Sequence, residues 1–356
     1  MLAAAMARIG FDGLAISPEG KGHARSQRHA VEALAARGEH ELVVFVREPV
    51  ALDGVEVVRV RERLTLDWEL RGVVRESRAR RLDAFLTLSD RLPLAGGPPI
   101  AVWLFESPVH RMRSNRTNAA PLRHRASDVV TALAWKRSLR RAAHVAFGSE
   151  ATRDEVLHAV RGLASTSVVH PGVAPGFSAG PPTTERGRYA LHLGSEDPRD
   201  NTATAVEAAR RAGVRLLVAG GWQGDGAEAL GRVSDEELVD LYRGAAAYLD
   251  PTLYEGFGYG VLEAMACGAP VVASNATSIP EVVGDAGLLC DPRDAEELAR
   301  ALERVLDEPG LAEELRRRGL ERARRFTWER TAEGLTQAIA AALAAPSASS
   351  TRTSPA

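Results

Sequence analysis

Two glutamates, Glu255 and Glu263, close the stretch EGFGYGVLE, and three of the seven residues between them are glycine. Glycines before a helix let backbone N–H groups approach an anion, and the helix amino end adds a favourable dipole. A carboxylate beside a phosphate repels it, so the two glutamates suit neutral hydroxyls, from which a carboxylate accepts hydrogen bonds. One chemistry that fits both halves is a loop holding a diphosphate between two carboxylates that each hold a sugar ring. The plainer alternative makes Glu255 a loop charge and Glu263 a carboxylate complementing the helix dipole.

Other catalytic constellations are missing from the chain. There is no G-x-S-x-G, no metal-spaced histidine cluster and no complete P-loop. Gly221-x-x-Gly224 lacks the rest of a dinucleotide fingerprint and reads as a loop closing a strand. The only cysteines, Cys267 and Cys290, sit in no metal-type spacing and read as core residues.

The elements that must position such a loop are legible as alternation. Short apolar runs bounded by turn residues alternate with segments of helical period, the pattern of βαβ units and parallel sheets. This happens twice. The first set runs from ARIGFDGLAIS to HVAFGS and the second from RYALHLGS to AGLLCDP, separated by a stretch rich in Pro, Gly and Thr. With 356 residues, two domains of ordinary size are expected. The expected boundaries are 1–165 for the first domain, 166–187 for a hinge, 188–325 for the second domain, 326–345 for a helix crossing back, and 346–356 for a disordered tail. Two doubly wound domains of this kind would place the carboxyl ends of both sheets on a shared cleft, where ligands of open parallel sheets bind. The formal net charge of -2 gives no global attraction to nucleic acid. No apolar run reaches the ~20 residues of a membrane span, and the first residues lack a signal-peptide pattern. A cytoplasmic protein is expected.

The stretch from Arg232 to Leu302 carries more than the glutamate pair. The Glu-x7-Glu spacing, the intervening GFG, EAMACGAPVV and IPEVVGDAG together closely resemble the donor half of retaining glycosyltransferases of family 4. Weaker similarity covers GKGHARSQRHAVEALAARG, FGSEATRDEV, VVHPGVAPGF and FTWERTAEGL. The resemblance implies an α/β chain of the GT-B fold, two Rossmann-like doubly wound domains facing a central cleft. It implies transfer of a sugar from a nucleoside diphosphate sugar to a hydroxyl, with retained anomeric configuration and with neither metal nor further cofactor. Glu255 would contact donor sugar hydroxyls and Glu263 the ribose. Gly256, Phe257 and Gly258 would offer amides to the distal phosphate, Arg232 and Val233 would pin the base, and Gly22 would let its loop approach the diphosphate.

Two departures stand out. Relatives usually carry Arg and Lys after the first strand of the donor domain, whereas the segment here is LGSEDPRDN, with Arg199 followed by Asp200. Neutralisation of a diphosphate would fall to Arg199, to Arg25 or to backbone dipoles, and Arg199 could instead pair with Asp197 or Asp200. In AVWLFESPVHRMR, Glu106 and Ser107 occupy about the place of a His-Asp pair, so Glu106 is the candidate to contact a donor hydroxyl in the first domain, with His23 and His110 as further cleft-loop candidates. Residues 110–141 hold nine Arg or Lys against Asp128, a patch that could meet an anionic membrane at its inner face, with Trp135 as an interfacial anchor, or could be a solvated helical face. The expected partners are the nucleotide sugar and a glycan, lipid-linked or small-molecule acceptor in envelope or polysaccharide assembly. A lapsed binding protein, and a phosphorylase or epimerase on the same fold, are the competing readings.

Overall fold

The structure is a computed structural model that describes residues 6–17, 23–62, 64–89, 91–93, 95–106, 134–180 and 187–345. It divides into two units, residues 1–171 with 328–356, and residues 172–327.

The first unit is a seven-stranded sheet in the order β3-β2-β1-β4-β5-β6-β7. Its strands are β1 (Ala7–Asp12), β2 (His40–Val46), β3 (Glu56–Arg59), β4 (Ala84–Thr87), β5 (Ile100–Leu104), β6 (His144–Phe147) and β7 (Thr166–Val168), and each recorded pairing is parallel. Both faces of a parallel sheet are covered, so its strands read as continuous apolar runs. Accordingly Val43, Val44, Phe45 and Val46 are all fully buried. Helix α1 (His23–Arg37) follows β1, and a π-helical turn Trp68–Gly72 leads into α2 (Val73–Arg80). Trp68, fully buried, sets its ring 5.0 Å from that of Phe45, the two planes tilted by 46°. Helix α3 (Glu150–Ala159) is capped by the Ser149 hydroxyl, which accepts from the Thr152 N–H at 3.1 Å.

Strand β7 corrects the expected hinge: residues 166–168 pair with β6 and belong to the first sheet, since Thr-Ser-Val has the short β-type pattern of an edge strand. The chain passes to the second unit after Pro171. Trp135 corrects the expected membrane anchor, because it is 2% exposed and packs with Leu139 and Ala142 in the first core. Residues 110–133 of the basic stretch, His110 among them, together with Gly22 and Ser107, lie outside the described residues.

The second unit is a six-stranded sheet in the order β10-β9-β8-β11-β12-β13, with β8 (Tyr189–Gly194), β9 (Arg215–Gly220), β10 (Glu228–Gly231), β11 (Ala247–Asp250), β12 (Val271–Ser274) and β13 (Gly287–Cys290). The strand β10 lies where the sequence pattern suggests only a loop. Its Glu-Ala-Leu-Gly carries no β-branched residue and half of it is exposed, so the apolar signal of an inner strand is missing. Helices α4 (Thr202–Arg211), α5 (Asp235–Gly244), α6 (Tyr259–Cys267), α7 (Ile279–Val283), α8 (Ala295–Asp307) and α9 (Leu311–Ala323) cover the sheet. In α8, Leu298, Ala301, Leu302 and Val305 recur at helical spacing and are buried, while Asp294 accepts from the N–H groups of Glu296 and Glu297.

The last helix, α10 (Trp328–Ala344), returns to the first unit and packs on α1. The Thr331 hydroxyl donates to the His170 carbonyl at 2.8 Å. Gly334 permits the approach, because a Cβ there would sit 2.9 Å from Val169 Cγ2. Among the described residues no helix is long and apolar enough to cross a membrane.

Candidate functional site

Read from β8, the second sheet has the strand order 3-2-1-4-5-6, so its direction reverses between β8 and β11. In open parallel sheets the ligand crevice forms outside the carboxyl ends of the strands at that reversal. Two loops meet there, Ser195–Asn201 after β8 and Pro251–Gly258 after β11.

The second loop carries Glu255, Gly256, Phe257 and Gly258 and opens helix α6. Gly258, at φ +100°, is the residue before the helix, a conformation natural to glycine. A Cβ at Gly258 would sit 2.8 Å from Ile279 Cδ1, and one at Gly260 would sit 2.3 Å from the Tyr248 hydroxyl. These glycines therefore also allow α6 to press against β11 and α7. Phe257 is 2% exposed, its ring 5.8 Å from that of Phe326. Glu263 lies one turn into α6 and is 3% exposed. Glu255 is half-buried; its N–H donates to Thr277 Oγ1 at 3.1 Å and its carbonyl accepts from the Ser278 hydroxyl at 2.8 Å.

The first loop is held by its own side chains. Arg199 forms a two-point ion pair with Asp197, Nε to Oδ2 at 3.0 Å and Nη2 to Oδ2 at 2.8 Å. Asp200 accepts from the Ser195 hydroxyl at 2.5 Å. Burial, and secondarily Asp197, push the Asp200 carboxyl above its usual range, against the Ser195 hydrogen bond. Beneath it, Asp250 at the end of β11 is 8% exposed and accepts from the Tyr248 hydroxyl at 3.3 Å. Burial and the nearby Asp200 push Asp250 up to about 6. Burial, with the carboxylates of Asp250, Glu255 and Glu263, holds the Tyr248 phenol well above its ordinary value. His192 is fully buried; it donates from Nδ1 to the Leu249 carbonyl and accepts at Nε2 from the Thr202 hydroxyl. Burial pushes it down to about 4, so it is a neutral structural imidazole.

Asn201 joins the two loops. At φ +55° it precedes α4, and its Nδ2 donates to the carbonyls of Pro251 at 2.9 Å and Pro292 at 2.7 Å. The Arg199 carbonyl accepts from the Leu253 N–H at 2.8 Å and the Thr252 hydroxyl at 3.0 Å. The sequence reading missed Asn201, Asp250, Thr277 and Ser278. An Asn before a helix is a common cap, and only the fold shows that this one bridges three loops.

Arg232 and Val233 follow β10 at the far end of the same sheet edge, Arg232 exposed and Val233 half-buried, ahead of the Ser234–Glu237 capping box of α5. In the first unit, Arg25 sits in the first turn of α1 after β1, and Glu106, half-buried, follows β5. The reversal of that sheet, between β1 and β4, is closed by a bond from the Thr87 hydroxyl to Asp12 at 2.9 Å. Among the described residues no group of three or more His, Cys, Asp or Glu is placed to hold a metal ion. Cys267 and Cys290 are buried, and burial pushes their thiols up to about 12 and about 11, so neither is a nucleophile.

An open sheet of Rossmann strand order with a glycine-rich, carboxylate-bearing loop at its reversal defines a ligand-binding α/β unit of the nucleotide-binding type. Residues 182–325 match the family described as glycosyl transferases group 1. Residues of the chain are 39% identical over 162 positions to O-antigen chain mannosyltransferase B of Escherichia coli, covering 40% of this chain and 42% of that protein. The chain thus spans less than half the length of that relative. Among solved structures, sucrose-phosphate synthase from Thermosynechococcus elongatus aligns with a TM-score of 0.76 at 22% identity, covering 93% of this chain and 98% of that one. Anabaena Alr3699/HepE in complex with UDP-glucose aligns with a TM-score of 0.68 at 17% identity, covering 94% of this chain and 99% of that one. The fold is GT-B.

Proposed function

We propose that the protein is a retaining glycosyltransferase that moves a sugar from a nucleoside diphosphate sugar to a hydroxyl acceptor in envelope or polysaccharide assembly, without a metal ion. The observation that carries this reading is the position of Glu255 and Glu263 at the reversal of the second sheet, with the amino end of α6 between them. The O-antigen relative and the UDP-glucose complex of a structural neighbour support a sugar-nucleotide donor. In this reaction the bond between the anomeric carbon and the donor phosphate breaks, the acceptor oxygen joins the same face, and its proton passes to the departing phosphate. The chain's part is to fix the sugar through Glu255, the ribose through Glu263, and to stabilise the diphosphate with the N–H groups opening α6.

Purified protein with EDTA, tested against UDP-, GDP-, dTDP- and ADP-sugars for thermal shift and diphosphate release, addresses both donor and metal. One nucleotide class that stabilises and is cleaved supports the reading; cleavage that vanishes with EDTA refutes metal independence. Glu255→Gln should lower transfer far more than affinity for the bare nucleotide, whereas Glu263→Ala should weaken nucleotide binding itself. Equal effects of each on both measures would undo these roles.

One observation favours a second reading, a GT-B protein that binds without transfer. Arg199 is engaged by Asp197, and Asp200 and Asp250 stand where a diphosphate would need a cation. Stabilisation by a donor with no diphosphate release, even with acceptors, would select it.

A further inference from the structure

Thr277 is the one β-branched residue at positive φ among the described residues, at φ +52°. For such a residue the left-handed region is a true outlier, since Cβ and its branches crowd the following carbonyl. Strain of this kind persists where the surroundings impose it, and it clusters at functional sites. Packing does not account for it, because the Thr277 side chain is exposed. What the conformation achieves is polar: Thr277 Oγ1 accepts the Glu255 N–H at 3.1 Å, and the next hydroxyl, that of the fully buried Ser278, donates to the Glu255 carbonyl at 2.8 Å. Two consecutive side chains thus grip the N–H and the C=O of one residue from the loop after β12. Glycine would reach the same φ freely but could not accept that N–H.

We infer that Thr277 and Ser278 are positioning residues for Glu255, and that the strained Thr277 backbone is retained because it aims a hydroxyl at the Glu255 amide. The inference rests on the role of Glu255 in the proposed transfer. The loop supports it from the other side: the Ser278 carbonyl accepts from the Val282 N–H at 3.2 Å, opening α7, and the Ala276 carbonyl accepts from the Ile279 N–H at 3.3 Å. The Ala276 N–H in turn donates to the buried Ser274 hydroxyl at 3.0 Å. The grip is therefore anchored to β12 and α7 rather than hung on a free loop. Local geometry held by second contacts of this kind is what fixes a reacting group to within a fraction of an ångström.

Four variants separate position from fold. Thr277→Gly relieves the strain and removes the hydroxyl, Thr277→Val keeps the branching without an acceptor, Thr277→Ser keeps the acceptor, and Glu255→Gln controls for the site itself. Hydrogen exchange at the Glu255 amide needs no substrate: it should quicken about tenfold in the Gly and Val variants, the size expected for one lost hydrogen bond, and stay within about twofold of the parent in the Ser variant. Thr277→Gly trades relieved left-handed strain against one lost hydrogen bond of similar size, so its Tm should stay within about 2–4 °C of the parent and above that of Thr277→Val, which keeps the strain and loses the bond. With the nucleotide sugar that the donor panel selects, Gly and Val variants should lose about tenfold in turnover at unchanged nucleotide affinity, and Ser should restore it. A merely structural role would move Tm and turnover in the same direction. Unchanged exchange at Glu255, a Tm lower in Thr277→Gly than in Thr277→Val, or full turnover in the Gly and Val variants alongside an inactive Glu255→Gln would each overturn the inference while leaving the role of Glu255 intact. Full turnover in Glu255→Gln would overturn both.

Discussion

Asp250→Asn is the perturbation whose effect follows most directly from the structure. Asp250 ionises near 6 in the folded protein and near its ordinary 3.8 when unfolded. Its folded value is raised, so below 3.8 it adds nothing unfavourable, and stability is lost as pH rises from there through about 6. Above 6 the full penalty is about 3 kcal/mol, at 1.36 kcal/mol for each unit. His192 works in the opposite sense over nearly the same window. Its folded value is lowered to about 4 from 6.5, so stability is complete above 6.5 and is lost as pH falls through about 4, again by about 3 kcal/mol. In the parent protein the two slopes largely offset each other between pH 4 and 6. Asn at 250 can keep Oδ1 as acceptor for the Thr252 N–H and donate from Nδ2 to the Tyr248 hydroxyl oxygen, whose O–H can rotate, so the variant should fold. Urea unfolding at pH 4.5 and 7.5 reads the result. The variant should gain about 2 kcal/mol more over the parent at pH 7.5 than at pH 4.5. Groups elsewhere titrate alike in both proteins and cancel from that difference. An offset that is the same at both pH values would refute the raised ionisation of a buried carboxyl at 250.

Two further outcomes follow from the same loop pair. Asp200→Lys replaces the carboxyl bonded to Ser195 by a cation at the sheet reversal, and isothermal titration should show tighter binding of the donor nucleotide by about tenfold, one charge-assisted hydrogen bond's worth; unchanged affinity would place the diphosphate elsewhere. Asn201→Ala should cost about 2–4 kcal/mol in urea unfolding, combining a left-handed backbone with two lost donors, while Asn201→Gly should cost measurably less; equal losses would mean that the donors alone matter.

Most of the architecture was legible because parallel strands buried on both faces leave apolar runs that turn residues punctuate. The runs ELVVFV in β2 and APVVASN in β12 are of this kind, and the latter's Val271 and Val272 are fully buried. The elements that escaped are those whose signal is weak for a physical reason. Strands β7 and β10 are edge strands with exposed residues, and the π-helical turn at Trp68 breaks the 3.6-residue period. At the site, Glu255 and Glu263 announce themselves by type and spacing. Asp250 does not, because a carboxylate at the end of an apolar run looks like a turn residue until the strand order puts it beside Asp200. Thr277 is invisible for a different reason: its message is a backbone angle, and nothing in the letters NATSIP distinguishes a strained threonine from a relaxed one.

The charges at the second unit's reversal also bear on what its ligand must be. Asp197, Asp200, Asp250, Glu255 and Glu263 surround the two loops, and the cation nearest them in sequence, Arg199, is held by Asp197. An anion bound there by side-chain cations alone would meet net repulsion, at about 1 kcal/mol for each unscreened unit charge pair 4 Å apart in water and more where water is excluded. Hydroxyl groups face no such penalty, since carboxylates accept from them, and the N–H groups opening α4 and α6 supply fixed positive potential at those two helix ends. A ligand with many hydroxyls and a single compact anionic segment fits that distribution; a polyphosphate or nucleic acid does not. Protonation of the Asp200–Asp250 pair would ease the approach of the anionic segment, so donor affinity should rise as pH falls from 7.5 toward 6, with one proton taken up at most. Titration calorimetry in two buffers of different ionisation enthalpy measures that proton directly. Binding without uptake at pH 7 would mean that the anion keeps clear of both carboxyls and is held in this unit by helix amino ends.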